Sequence, residues 1–368
     1  MVGASGAALK AALHGRVKAH TSRSYSAVWA ALEDLDQDPA NAANVLLIYS
    51  GASRVKTLRD KGTEADNYWN REHLWPVSLG PADEETVAGT DLHHLFAADK
   101  NVNARRGSLP FDTVSGGSTD PEAPLCRYTG SAWEPRDADK GLIARALFYM
   151  AVRYEPNDDV ASVGDLELQE SLSVTTPKMA RLSTLLAWHR AFPPTEAERR
   201  RNDRVYVAYQ GNRNPFVDNP LFADQVFSGD TPFTAWRRPS FTTTELANAA
   251  ISGDAADPDG DGFPNRLEFA FNLGPRAANT AADARPSLVL LAPAVAGGAG
   301  RLAFTHRKHR YATDLVYHYE SSADLATWTV FAPTAASATY VDALTDRVTV
   351  ETPMAGARKF VRLRVERP

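Results

Sequence analysis

A chain of 368 residues with one cysteine cannot cross-link itself by an intrachain disulfide, and its 43% hydrophobic content suffices to bury real cores, so two unstapled domains are expected. No stretch approaches ~20 consecutive apolar residues, which argues against a transmembrane helix. A net charge of −5 excludes recognition of nucleic acid by a broadly basic surface, so any such binding has to be focused locally.

The start, MVGASGAALKAALHGR, lacks a basic region ahead of an apolar core, so it does not read as an intact export leader and a trimmed chain is expected. Leu9–His20 and Tyr25–Leu35 carry apolar residues at spacings of three and four, with Thr21 or Ser24 as a cap between them, which predicts two packing helices. Val45–Gly51 is a short apolar run ending in Ser-Gly and reads as a buried strand.

The chemistry concentrates in Asn67–Phe111. The apolar patches Leu74–Val77 and Leu92–Ala98 end in turn formers and predict strands, whereas Asp99–Arg106 opens on a good N-cap and predicts a helix. In a strand, loop, strand, helix unit, a histidine at the end of the first strand can face a carboxamide on the helix across a gap that holds one hydrated divalent ion. Phosphodiester hydrolysis needs a base near neutral pH, a cation on the developing charge and a stabilised leaving oxygen. His73 suits the first role; Glu72 and Asn103 suit a Mg²⁺ that keeps several waters; Arg105 or Arg106 would steady the phosphate. Taken singly, each has a blander reading: Glu-His pairs arise by chance, Asn103 can be an ordinary helix residue, and His93 and His94 can be one packed ring and one exposed ring. A zinc site from His73, His93 and His94 lacks the helical HExxH spacing.

Further along, Asp112–Glu134 reads as a surface loop holding Cys126 as a spectator thiol, while Lys140–Tyr154 and Leu182–His189 read as helices, with His189 structural. Glu196–Arg201 reads either as a solvated helix face or, with Arg204, as part of a phosphate-attracting patch. Tyr209–Pro220 is a polar loop, either a structural clamp or a place from which Arg213 reaches substrate.

Four strings, NREH at Asn70–His73, DLHHL at Asp91–Leu95, Val102-Asn103 followed by Arg106, and QGNRNPFVD at Gln210–Asp218, resemble the bacterial endonuclease I family of periplasmic and secreted non-specific nucleases, which carry the ββα-metal (His-Me finger) site. The helical segments Gly141–Tyr154 and Leu185–His189 are similar to that family too, and the resemblance spans roughly residues 1–225. It implies that His73 is the general base and that Glu72 and Asn103 hold Mg²⁺. Some members place a phosphate-contacting arginine in the loop matching Ser78–Thr90; that loop has none here, and Arg106 is the substitute.

Beyond Pro220 the texture changes. Thr244–Ile251 predicts a short helix, and DPDGDGFPNRLE, Asp257–Glu268, matches an EF-hand calcium loop: Asp257, Asp259 and Asp261, the Phe263 carbonyl, Asn265 directly or through water, and bidentate Glu268, with Gly262 at the sharp turn. Six alternating runs from Ser287 onward predict a small antiparallel β-sandwich, and SSADLATWT resembles a pattern in C-terminal modules of secreted bacterial proteins.

The expected architecture is α+β: a mainly helical nuclease domain with a ββα-metal unit (1–238), a linker with the calcium loop (239–280) and a β-sandwich accessory domain (281–368). The expected function is a secreted or periplasmic, Mg²⁺-dependent, sequence-independent endonuclease. It would cut DNA, with RNA left open, to 5′-phosphate ends, as a monomer with catalytic residues His73 and Arg106 and substrate contacts from Arg105 and Arg213. The competing reading is a calcium-stabilised extracellular adhesion protein with a non-catalytic nuclease-like scaffold.

Overall fold

The computed structural model describes residues 4–62, 67–156, 164–279, 282, 284–293, 299–354 and 358–368; the first three residues of the expected leaderless start and the expected 280/281 boundary lie outside them. The fold mixes helices and strands, and the chain divides into two compact units, Gly6–Ser228 and Gly229–Pro368, with residues 1–5 grouped with the second.

The first unit opens with α1 (Gly6–Val17) and α2 (Tyr25–Leu35), the latter capped by the Ser24 hydroxyl accepting from the Ala27 amide. Strands β1 (Gln37–Asp38), β2 (Asn41–Leu46) and β3 (Ser53–Val55) form a small antiparallel sheet. The expected strand at Val45–Gly51 therefore starts earlier; Ile48 only bridges Ala98, and Tyr49 turns the chain at a φ of 74°.

Next come β4 (Trp69–His73), β5 (Leu95–Asp99) and α3 (Lys100–Arg106). β4 and β5 pair antiparallel from Trp69↔Asp99 to His73↔Leu95, and the Asp99 side chain caps α3 by accepting from the Asn101 and Val102 amides. The first strand thus lies over Trp69–His73, not over Leu74–Val77. Leu74 and Trp75 are fully buried but irregular, and Pro76, which has no amide hydrogen to give a ladder, leads into a single tight turn at Val77–Leu79. Burial had made that run look like a strand.

Three short strands, β6 (Ser118–Thr119), β7 (Arg127–Tyr128) and β8 (Trp133–Glu134), precede α4 (Asp137–Arg153), the central helix, in which Ile143 to Val152 are all buried. The parallel pair β9 (Glu167–Gln169) and β10 (Lys178–Ala180) is followed by α5 (Leu182–Ala191), α6 (Glu196–Arg204), a π-helical turn over Val205–Gln210, α7 (Pro215–Asp218) and α8 (Leu221–Phe227). One apolar core joins α2, β2 and the β4–β5 pair through Val28, Leu32, Val45, Trp69, Leu92 and Leu95.

In the second unit, α9 (Pro232–Arg237) sets the rings of Phe233 and Trp236 each 5.5 Å from Phe269. The expected helix Thr244–Ile251 is two single turns, α10 (Thr243–Leu246) and α11 (Ala249–Ser252), because Asn248 caps the second from its side chain. α12 (Asn265–Phe271) follows the acidic loop. The remainder forms two antiparallel sheets. In order, one holds β11 (Ser287–Leu291), β12 (Arg301–His309), β16 (Thr345–Pro353) and β15 (Ala335–Asp342); the other holds β14 (Thr329–Val330), β13 (Val316–Ser322) and β17 (Phe360–Glu366). His306 of β12 bonds the Tyr319 hydroxyl of β13 at 2.9 Å, so the two inner faces meet.

Candidate active site

A cleft of about 680 Å³ opens along β4 and α3, lined by Asn70, Arg71, Glu72, His73 and Asn103 together with Tyr25 and Trp29 of α2 and Glu84 of the Ser78–Thr90 loop. Three residues singled out from sequence, Glu72, His73 and Asn103, are thereby brought together.

His73 is the last residue of β4 and is nearly buried. Its Nε2 lies 2.8 Å from the Gly89 carbonyl, so Nε2 carries the hydrogen and Nδ1 keeps the lone pair. Burial pushes its pKa down to about 3, and His94, Arg71 and Arg106 push the same way, so the resting ring is neutral with its lone pair available, but it is a weaker base than the near-neutral one expected from sequence, because it has lost its water. Gly89 is there for a steric reason: a Cβ would sit 2.3 Å from the Asp83 carbonyl oxygen, and only glycine lets the loop bring its carbonyl to the imidazole.

Glu72 points to the other side of β4 and is also buried. Its Oε1 accepts from the Tyr49 hydroxyl at 2.6 Å and lies 3.2 Å from Arg106 Nη1. Burial raises its pKa; the Arg106 charge and the Tyr49 hydrogen bond draw it back. Asn103 donates through Nδ2 to Asn70 Oδ1 at 2.8 Å, which leaves its Oδ1 as the ligand-type atom.

The arginines expected to meet substrate are engaged elsewhere. Arg106 is buried behind the site, donating to the His73 and Leu74 carbonyls at 3.0 and 2.6 Å, so it ties β4 to α3 and balances Glu72. Arg105 is paired with Asp120 and with Glu122 at 2.5 Å, and Arg213 with Asp203 at 2.6 Å and Asp218 at 2.7 Å. Of the Arg199–Arg204 run, Arg199, Arg201 and Arg204 are likewise committed to the fold, while Arg200 stays exposed on α6 with Glu196 at 4.0 Å. Arg201 bonds Asp36 and the Leu92 and Leu95 carbonyls, Arg204 bonds Asp34, and Arg199 bonds the Val217 carbonyl.

Behind the cleft, Asp91 is fully buried and accepts from Tyr149 at 2.8 Å, Tyr154 at 3.0 Å, Gln210 at 3.0 Å and the His93 amide at 3.0 Å. His93 and His94 are both buried rather than one packed and one exposed, bonding the Asn212 and Ala88 carbonyls. Gln210 also accepts from the Leu92 amide, and Asn212 donates to the Val17 carbonyl and Tyr149, so the QGNRNPFVD string is a clamp. Cys126 is buried rather than on the surface, with its thiol pushed up to about 12 by burial. What the sequence does not reveal is Tyr49 as the partner of Glu72 and the Gly89 carbonyl as the partner of His73, both outside the cleft lining, and the Tyr25–Arg71–Trp29 group within it; Arg71 stands inside the NREH string.

In the second unit, carboxylate oxygens of Asp257, Asp259 and Asp261 lie within 4.8 Å of one another. Gly260 and Gly262 have φ of 74° and 92°, and their amides both donate to Asp257 at 2.9 Å, folding the loop inward. Asn265 and Glu268 are fully buried at the start of α12. Asp259 Oδ2, Asn265 Oδ1 and Glu268 Oε2 are buried oxygens without a hydrogen-bond partner, and burial with the crowded aspartates raises Glu268 to about 8. Asn279, unnoticed in sequence, bonds both Asp261, through its amide, and Glu268, through its side chain at 3.0 Å.

The Endonuclease I family model matches residues 5–221. An extracellular ribonuclease of Bacillus amyloliquefaciens is 48% identical over 226 residues, covering 61% of this chain and 75% of that protein. An extracellular ribonuclease of Bacillus subtilis (strain 168) is 45% identical over 226 residues, 61% of this chain and 76% of its own length. An extracellular deoxyribonuclease of Aeromonas hydrophila is 29% identical over 146 residues, 38% of this chain and 55% of its own. With more than half of its length matched by the family model, this chain belongs to the endonuclease I family.

Proposed function

We propose that the chain is a secreted, Mg²⁺-dependent, sequence-independent endonuclease whose catalytic machinery lies in Gly6–Ser228. The observation that carries this reading is the convergence in one cleft of a neutral His73, a buried Glu72 and the Asn103 carboxamide, all on a strand–strand–helix unit of the ββα-metal kind. The names of the relatives speak for nucleic-acid hydrolysis outside the cell and against a non-catalytic adhesion scaffold. Because the two that share the most sequence are named ribonucleases, RNA stands beside DNA as substrate.

Glu72 and Asn103 fit a hard cation. A carboxylate held in the interior by one hydroxyl and one guanidinium keeps a second oxygen, and Asn103 keeps its carbonyl oxygen. When bound there, Mg²⁺ would supply positive charge for the phosphate oxygens. His73, with Nε2 tied to Gly89, takes the proton of an attacking water on Nδ1 as the water oxygen bonds phosphorus and the P–O3′ bond breaks; the 3′ oxygen leaves as a hydroxyl by taking a proton from solvent water, and the other product keeps the 5′-phosphate. Arg106 orients Glu72 and is not placed on substrate.

For the second unit we propose a structural Ca²⁺ in the Asp257–Glu268 loop and a β-sandwich accessory role for the two sheets. Three buried oxygens without donors are the fit: a cation of high coordination number satisfies them together and removes the reason for Glu268 to hold a proton. Incubating the full chain with plasmid DNA and with structured RNA, in Mg²⁺ and in chelator, tests the function. Mg²⁺-dependent nicking or RNA cleavage supports it, and inertness on both polymers overturns it.

A further inference from the structure

Arg71 and His73 are two residues apart on β4, so their side chains share one face of the strand with their backbones roughly 7 Å apart. The Tyr25 ring confirms this, lying 3.2 Å from the Arg71 guanidinium carbon and 5.9 Å from the His73 ring. The guanidinium also meets Trp29, one turn along α2, at 4.2 Å, so it packs on two aromatic rings in the cleft wall. One N–H donates to the Tyr25 carbonyl at 2.5 Å. Of the five donors an arginine offers, the rest have no carboxylate: Glu84 and Glu85 lie near enough to favour the charge, but neither pairs with it.

Arg71 is the one lysine or arginine among the described residues lining the cleft, and Arg105, Arg106, Arg201, Arg204 and Arg213 are all committed to the protein itself. Resting on the nuclease reading above, we infer that Arg71 is a substrate-binding residue that grips the phosphate next to the scissile one. The separation of Arg71 from His73 along β4 is about that of successive phosphates on a nucleic-acid strand. A planar guanidinium packed on two rings is also pre-organised for bidentate contact with a phosphodiester, with little side-chain entropy left to lose.

The contact is made in ground state and transition state alike, so it should appear in KM. In the full-length chain with Mg²⁺, Arg71→Gln should raise KM for a short oligonucleotide about tenfold or more while kcat stays within a few-fold. It should also flatten the salt dependence of kcat/KM by about 0.7–0.9 of a logarithmic unit, one phosphate contact's worth. Arg71→Lys should keep the salt slope with an intermediate KM. For the parent, adding a flanking phosphate to a dinucleoside monophosphate should raise kcat/KM about tenfold, and this measurement needs no variant to fold. A purely structural Arg71 would lower the melting temperature and kcat without moving the salt slope. The inference is overturned if Arg71→Gln keeps the parental KM and salt slope, or if the parent is indifferent to the flanking phosphate. A parent inert on every substrate overturns the nuclease reading as well.

Discussion

At the scale of single residues, the cleft sets its protonation states by burial more than by pairing. His73 is neutral because water has been removed from it, and its tautomer is chosen by the Gly89 carbonyl. His73→Ala should therefore fold and lose cleavage by ~10²–10⁴-fold, the usual contribution of a general base; a variant that nicks plasmid at the parental rate removes His73 from the mechanism. Glu72→Ala and Asn103→Ala should instead shift the Mg²⁺ midpoint for activity upward, which a metal titration reads directly. Gly89→Ala forces a methyl against the Asp83 carbonyl and so displaces the histidine's partner; a drop of about 10²-fold in kcat/KM with an intact fold is expected. Glu72, His73 and Asn103 could be proposed from sequence because chemistry restricts which residues can do these tasks, and the fold brings all three to one cleft. The fates of Arg105, Arg106 and Arg213 were not, since an arginine's sequence position says nothing about which carboxylate or carbonyl reaches it first.

At the scale of elements, the β4–β5–α3 unit is held from behind by a polar knot rather than by apolar packing alone. Asp91 gathers two tyrosines, Gln210 and an amide in a dry interior. Asp91→Ala would remove the acceptor of the Tyr149 hydroxyl and the His93 amide, while Tyr154 keeps the Val87 carbonyl at 3.2 Å and Gln210 keeps Asn212 Oδ1 at 3.3 Å; a loss of about 3 kcal/mol of stability is expected in a denaturant melt, with activity falling only as the fold does. The knot also sets a pH window. His73 and His189 are pushed to about 3, and His93 and His94 to about 4, mainly by burial. All four are lower than in the unfolded chain, near 6.5, so the unfolded state binds more protons below that pH. Stability should be level above about pH 7 and fall as the pH drops from 6.5 toward 4, by up to about 1.4 kcal/mol per pH unit for each histidine. Melting temperatures across that range check this, and a flat profile would mean the rings are not buried neutral.

At the scale of the whole molecule, the two proposed metal sites lie in separate units. Ca²⁺ bound only by the folded loop should raise the melting temperature of Gly229–Pro368 by mass action, and Glu268→Ala should abolish the rise while leaving Mg²⁺-dependent cleavage nearly unchanged. A chain ending at Ser228 should still cut. If it folds and is inactive, or if Glu268→Ala removes activity, catalysis is not confined to the first unit.

What the sequence determined by itself were the parts whose signals are local. Helix α2 follows from apolar spacing and a cap and α4 from apolar spacing alone; the acidic loop shows in the order of its oxygens; and the candidate residues Glu72 and His73 show in the NREH string, which covers adjacent residues of one strand. Only the tertiary structure decided where β4 begins, because a buried irregular run such as Leu74–Trp75 is as apolar as a strand and differs only in whether a partner accepts its hydrogen bonds. It decided, too, that Cys126, His93 and His94 are interior, and that Gln210 and Asn212 serve the fold from more than a hundred residues away. Arg71 shows the division most plainly. Sequence offered it as one of 40 cations, and it became the cleft's own only when α2 brought Tyr25 and Trp29 against its guanidinium and Arg105, Arg106 and Arg213 found partners within the protein.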